Sequence, residues 1–119
     1  MAIDSAKQIT EYLKAAKLVA DEKLILTYET VAAAGAVSVS TPVTLLATTG
    51  AIAITLADGV EGQVKIILMT TDGGTATLTP ANFANNTTIA FADVYDVWVG
   101  IFVLGAWYTV NGTTTVAFA

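Results

Sequence analysis

Two hydrophobic periods divide the chain. From Asp4 to Leu24 apolar residues return every three or four positions, and Ile9, Tyr12, Leu13, Ala16 and Ala20 fall into one stripe, the pattern of an amphipathic helix. Ser5 and Gln8 fit a capping box, with Asp4 near the positive end of the helix dipole. Lys7 with Glu11, and Lys17 with Asp21, stand four residues apart on the solvated side. The pattern predicts one N-terminal α-helix over residues 4–24, inside an arm of residues 1–29. Its stripe, Ile9, Tyr12, Leu13 and Ala16, covers either the chain's own sheet or a neighbouring subunit.

After Glu29 the period shortens to two, and Thr, Val and Ala dominate. Turn signals arrive every 8–12 residues, which together with β-branched enrichment predicts a mainly β domain over residues 30–119. The expected architecture is an antiparallel β-sandwich or barrel, jelly-roll-like, with strands near 36–40, 43–48, 51–57, 63–70, 75–79, 87–91, 96–104, 106–110 and 113–118. Asp72-Gly73 and Asn111-Gly112 read as hairpin turns, since a type I′ turn needs φ > 0 at both central residues. Asn85-Asn86 and Gly105 mark looser turns.

Two strands depart from a clean alternation. In 63–70, Val64, Ile66 and Leu68 form a fully apolar face, while Gln63, Lys65, Ile67 and Met69 form one that starts polar and ends apolar. An antiparallel strand with one wet face keeps alternating, so Ile67 and Met69 are expected to be covered by a helix or a second subunit. In 96–104, Trp98 shares its parity with Gly100 and Phe102, and Val97, Val99, Ile101 and Val103 take the other side. Both sides are apolar. Trp98 is expected in the core or an interface, and the two faces are not ranked by the pattern.

Composition sharpens this. Of 119 residues, 55% are apolar and only 13% charged, against about 45–50% and 25% in ordinary domains. The longest apolar run, Val97–Trp107, has two glycines and falls short of the roughly 20 residues of a membrane-spanning helix. The N-terminal residues, interrupted by Asp4, Lys7, Glu11 and Lys14, do not read as a secretory signal. The expectation is a non-membrane chain with a partly apolar surface, and such surfaces mark protein contacts. The net charge of −5, with five Lys and no Arg, disfavours nucleic acid, whose phosphates must be neutralised.

The chemistry points the same way. Without His or Cys, the commonest general base and the best nucleophile are missing, and no phosphate-cradling glycine loop is present. Asp58 with Glu61, and Asp93 with Asp96, lack the spacing of a calcium loop. They read as turn-solvating acids. The expectation is a non-enzyme with no catalytic residue, cofactor or metal.

One resemblance covers residues 41–112. The strings L-x-D-G-x-x-G-Q-x-K-x-I-x-M (Leu56–Met69), D-G-G-x-A-T-L-T-P (Asp72–Pro80), T-T-I-x-F (Thr87–Phe91) and G-x-W (Gly105–Trp107) occur in that order. The succession resembles small β-rich structural proteins of tailed bacteriophages, most closely the head decoration (cement) proteins of phages infecting cyanobacteria and marine bacteria. Where such sequences often carry a charge before G-x-W, this chain has Val103-Leu104-Gly105, which would suit a covered hairpin tip. The resemblance implies a virion protein made in the host cytoplasm and bound to the capsid exterior. Its expected partners are further copies of itself, most simply a trimer, and the major capsid protein. The residues expected at subunit or capsid interfaces are Ile9, Tyr12, Leu13, Ala16, Ile67, Met69, Val97, Val99, Ile101 and Val103. The alternative is an adhesin or fibre-tip module that recognises host glycans through Asn85, Asn86, Trp107, Tyr108 and Asn111.

Overall fold

A computed structural model describes residues 24–113 and 116–119. Of the helix expected over 4–24, residues 4–23, with Ile9, Tyr12, Leu13 and Ala16, lie outside the described residues. The rest is mainly β: β1 (Tyr28–Val31), β2 (Gly35–Ala36), β3 (Val43–Ala47), β4 (Ile52–Leu56), β5 (Gln63–Thr71), β6 (Ala76–Pro80), β7 (Ile89–Phe91), β8 (Val97–Val103), β9 (Ala106–Gly112) and β10 (Ala117–Phe118). They form two five-stranded sheets, sheet A in the order β1-β3-β5-β8-β9 and sheet B in the order β10-β7-β6-β4-β2. Both contribute to one core, consistent with a β-sandwich.

The pairing is not the antiparallel jelly roll expected from the sequence. From β1 to β6 the chain alternates between the sheets, so each return adds a strand parallel to the previous one. Tyr28 lies beside Val43, and Val43 beside Ile66; in sheet B, Gly35 lies beside Ile54, and Ile54 beside Leu78. Only from β6 onward do neighbours run antiparallel: β6 with β7, β7 with β10, β5 with β8, and β8 with β9. The first half is therefore a two-layer winding and the second half a set of hairpin-like returns, giving two mixed sheets.

The turns explain the difference. Asp72-Gly73 does not close a hairpin; it carries the chain from β5 in sheet A to β6 in sheet B, stacked on the turn after β3. Thr48 holds the stack: its amide donates to the Thr71 carbonyl at 3.0 Å, its hydroxyl donates to the Gly74 carbonyl at 2.7 Å, and the Gly73 amide donates to that hydroxyl at 3.0 Å. A Cβ on Gly73 would lie 2.3 Å from the Thr48 carbonyl oxygen, and one on Gly74 2.3 Å from the Gly50 carbonyl carbon. Close approach of two backbones, rather than positive φ, requires these glycines. Asn111-Gly112 is not a turn either and lies at the end of β9. The tight hairpin is Leu104-Gly105, between β8 and β9, with φ of 55° and 76°, as a two-residue primed turn demands.

The core is built on aromatic side chains of the antiparallel half. Trp98 and Trp107 are fully buried, with ring centroids 6.2 Å apart, and Phe102 meets Trp107 edge-on at 5.3 Å. The indole of Trp98 lies over Gly100, where a Cβ would stand 2.2 Å from its ring. Each indole N–H has a partner, Trp98 donating to the Thr109 hydroxyl and Trp107 to the Ala57 carbonyl, both at 2.9 Å. Leu46, Ile67 and Met69 from sheet A and Ile54, Leu56, Leu78, Ile89 and Phe91 from sheet B fill the remainder.

Candidate interaction surface

Side chains alternate along a strand, so the register fixes what each sheet shows outward. On sheet A one row reads Tyr28, Val43, Ile66, Val99 and Asn111 across the five strands. The next row reads Thr30, Leu45, Leu68 and Val97, and on the opposite side of the first lie Val64, Ile101 and Tyr108, then Val103 and Ala106. The middle of this face, on β3, β5 and β8, is entirely aliphatic. Its residues are half-buried by their own neighbours, apart from Val64, which is 44% exposed.

The corresponding rows of sheet B are Ala53, Thr77, Ala90 and Ala117, and Ala36, Thr55 and Thr79. That is a hydroxylated, small-residue surface. The structure thus has one wet outer sheet face and one greasy one.

None of the described charged side chains belongs to the outer face of sheet A. Asp58 and Glu61 lie in the β4–β5 connection, Asp72 in the β5–β6 turn, and Asp93 and Asp96 between β7 and β8. Each except Asp72 and Asp93 has an assigned structural task. Asp58 accepts two hydrogen bonds from the Asn82 amide at 3.0 and 2.8 Å, and Glu61 accepts one from the Leu104 amide at 3.0 Å. Asp96 is buried and accepts from the amides of Ala92 and Asp93 and from the Thr113 hydroxyl.

The remaining two charges point inward. Lys65 is 0% exposed. Its ammonium donates to the carbonyls of Ser38 and Thr41, each at 2.7 Å, and to the Thr44 hydroxyl at 2.6 Å, using all three of its protons. Glu29 on β1 is 3.8 Å away and accepts from the Thr44 hydroxyl and the Ser38 amide, each at 2.7 Å. This network ties the edge strand β1 and the β2–β3 connection to the central strand β5. Burial pushes the Lys65 ammonium down from 10.5 to about 8, and the Glu29 carboxylate opposes part of that shift. Gln63, on the same inward parity, closes its own turn: its side-chain oxygen accepts from the Val60 amide at 2.9 Å, and its side-chain amide donates to the Val39 carbonyl.

These facts place the β5 and β8 residues expected at an interface. Val97, Val99, Ile101 and Val103 do share one outward face. Ile67 and Met69 do not: both are fully buried in the protomer's own core, because the inner row of β5 runs Lys65, Ile67, Met69. The fully apolar row, Val64, Ile66 and Leu68, is the outward one, and Val43 and Leu45 of β3 extend it. Strand parity groups Ile67 and Met69 with Lys65, and Lys65 turns inward only because it meets the Ser38 and Thr41 carbonyls and the Thr44 hydroxyl, partners distant in sequence. Of the residues proposed for glycan contact, Trp107 is buried, Tyr108 and Asn111 lie on the outer face of sheet A, and Asn85 and Asn86 are exposed on the β6–β7 loop. They do not form one stacking platform.

Among the described residues no helix is long and apolar enough to cross a membrane. Comparison with known proteins finds no matching family model and no matching curated sequence.

Proposed function

We propose that this chain is a non-enzymatic structural subunit of a bacteriophage virion, a decoration protein that binds the capsid exterior and stabilises contacts between major capsid protein subunits. The observation that supports a structural role is the uncharged aliphatic outer face of sheet A beside the Ala/Thr outer face of sheet B. Contiguous apolar surface that no polar side chain interrupts is the kind that marks a protein contact, whereas the sheet B surface is suited to water. The phage assignment rests on the order of motifs from Leu56 to Trp107. A subunit that binds only the assembled shell stabilises it by mass action, and this requires surfaces for protein rather than a catalytic cleft.

Titrating the protein onto undecorated capsids tests the reading. Saturable, stoichiometric binding that raises the temperature of capsid disruption is the expected result. Binding to host cells or glycans with none to capsids would sink it in favour of the adhesin.

A further inference from the structure

We infer that the outer face of sheet A is covered by the same face of a second copy of this chain, related by a twofold axis. The inference deepens the reading above, that this face is a protein contact, by naming what sits on it.

Charge is the first argument. Each copy carries a net charge of −5, so self-association must keep acids apart. Here the exposed acids Asp58, Glu61, Asp72 and Asp93 belong to connections at the ends of the strands, and the rows that would meet are uncharged, Val, Ile and Leu on the central strands with Tyr, Thr, Asn and Ala on the edge strands. Two copies can therefore stack without opposing carboxylates, which would disfavour the pair.

Shape is the second. Five strands about 4.8 Å apart, each roughly six residues long at 3.3 Å per residue, present a face of about 24 by 20 Å. Stacking it on its twin covers roughly 500 Å² of flat area on each side. Side-chain relief brings the total toward the lower end of the standard range of about 1,200–2,000 Å². Packed sheets stand about 10 Å apart, the thickness of one interdigitated layer of aliphatic side chains. A twofold sets this face against itself, so its aliphatic centre meets an equally aliphatic partner, whereas a threefold ring is heterologous and would set it against a different surface of the neighbour.

Composition across the face is the third. The aliphatic rows occupy the central strands, and Tyr28, Tyr108, Thr30 and Asn111 lie on the two edge strands. An apolar centre with an amphipathic and polar rim is the usual anatomy of a protein interface.

The test uses the full chain. Light scattering at micromolar concentration should give twice the 12.3 kDa chain mass. The chain has no Cys, so single cysteines report without background. At least one of Ile66→Cys, Val99→Cys and Ile101→Cys, at the centre of the face, should oxidise to a covalent dimer, and Thr77→Cys on sheet B should not. The double variant Val99→Thr/Ile101→Thr keeps β-branched side chains and hence the strand. It should weaken self-association at least about tenfold, with an unchanged circular dichroism spectrum. A monomeric mass, a mass three times that of the chain, or equal cross-linking through Thr77→Cys would overturn the inference. A dimer that ignores capsids would sink the virion reading alone, and a monomer that binds them would sink the twofold contact alone.

Discussion

The two sheets solve the same problem in opposite ways. Sheet B sorts its residues as a half-solvated sheet is expected to, with Ile54, Leu56, Leu78 and Ile89 inside and Ala53, Thr55, Thr77 and Thr79 outside. Sheet A is inverted at one corner: Lys65, Thr44 and Glu29 point inward, and Val64, Ile66, Val99 and Ile101 point outward. What an element shows to water is thus not set by its composition alone. An inward lysine is tolerated where three acceptors and a carboxylate meet it, and an outward valine row is tolerated where another surface can cover it. A polar group left unpaired in a dry interior costs far more than an exposed methyl group.

The largest break in this comparison should come from the buried ammonium. Lys65→Met keeps an apolar stem but strands the carbonyls of Ser38 and Thr41 and leaves Glu29 without its counter-charge. The expected loss is about 3 kcal/mol at neutral pH, read from chemical denaturation. Adding Glu29→Gln should recover part of it, because the two changes act on one network. Full additivity of the two losses would show that Lys65 and Glu29 are energetically independent.

The same group sets a pH dependence that sheet B lacks. The folded-state pKa of Lys65 is depressed to about 8 from 10.5, so between those values the unfolded chain holds a proton that the folded chain has released. Stability then rises with pH across that window, and below pH 8 both states are protonated and the contribution is flat. The wild type should therefore gain about 1–3 kcal/mol relative to Lys65→Met between pH 8 and 10.5. A difference that stays constant or falls would mean that the three hydrogen bonds and Glu29 hold the ammonium at its ordinary pKa.

A matched pair of isosteric changes separates the sheets more finely. Thr44→Val in sheet A removes the hydroxyl that accepts from Lys65 and donates to Glu29, at an expected cost of about 1–2 kcal/mol. Thr77→Val on the outer face of sheet B, where the hydroxyl has no hydrogen bond within the protein to lose, should stay within about 0.5 kcal/mol. Equal effects would erase the distinction between an inward polar row and an outward one.

How much of this was legible follows from what strand periodicity carries. It located the strands that became β3 through β9, separated Trp98 from Val97, Val99, Ile101 and Val103, and left Trp98 to the core or an interface, of which the structure shows the core. It gave the parity of β5 but the wrong side, because Lys65 carries the strongest prior for solvent and its partners, Thr44, Glu29 and the Ser38 and Thr41 carbonyls, are 21 or more residues away. The parallel winding was hidden for a related reason. Asp72-Gly73-Gly74 serves a hairpin or a sheet-crossing turn equally well on paper, and only its packing against Thr48 and Gly50 distinguishes them. Trp107 looked available for a ligand because the Ala57 carbonyl that receives its N–H is 50 residues away.

The smallest expected effect lies where the greasy face of sheet A reaches the hairpin tip. Leu104 is 84% exposed and has φ of 55°, a left-handed conformation that costs a branched L-residue about 1 kcal/mol and suits Asn or Gly. Its amide is held by Glu61, a bond that any residue there can keep. Leu104→Asn should therefore stabilise the isolated protomer by about 0.5–1 kcal/mol, measured in the Val99→Thr/Ile101→Thr background, where assembly does not contribute. In the otherwise wild-type chain the same change has a second readout. If the tip is covered in the assembly, as the uncharged Val103-Leu104-Gly105 suggests, the more stable protomer should associate less tightly. A gain in protomer stability with unchanged association would confine the contact to the aliphatic rows of β3, β5 and β8 and leave the hairpin tip outside it.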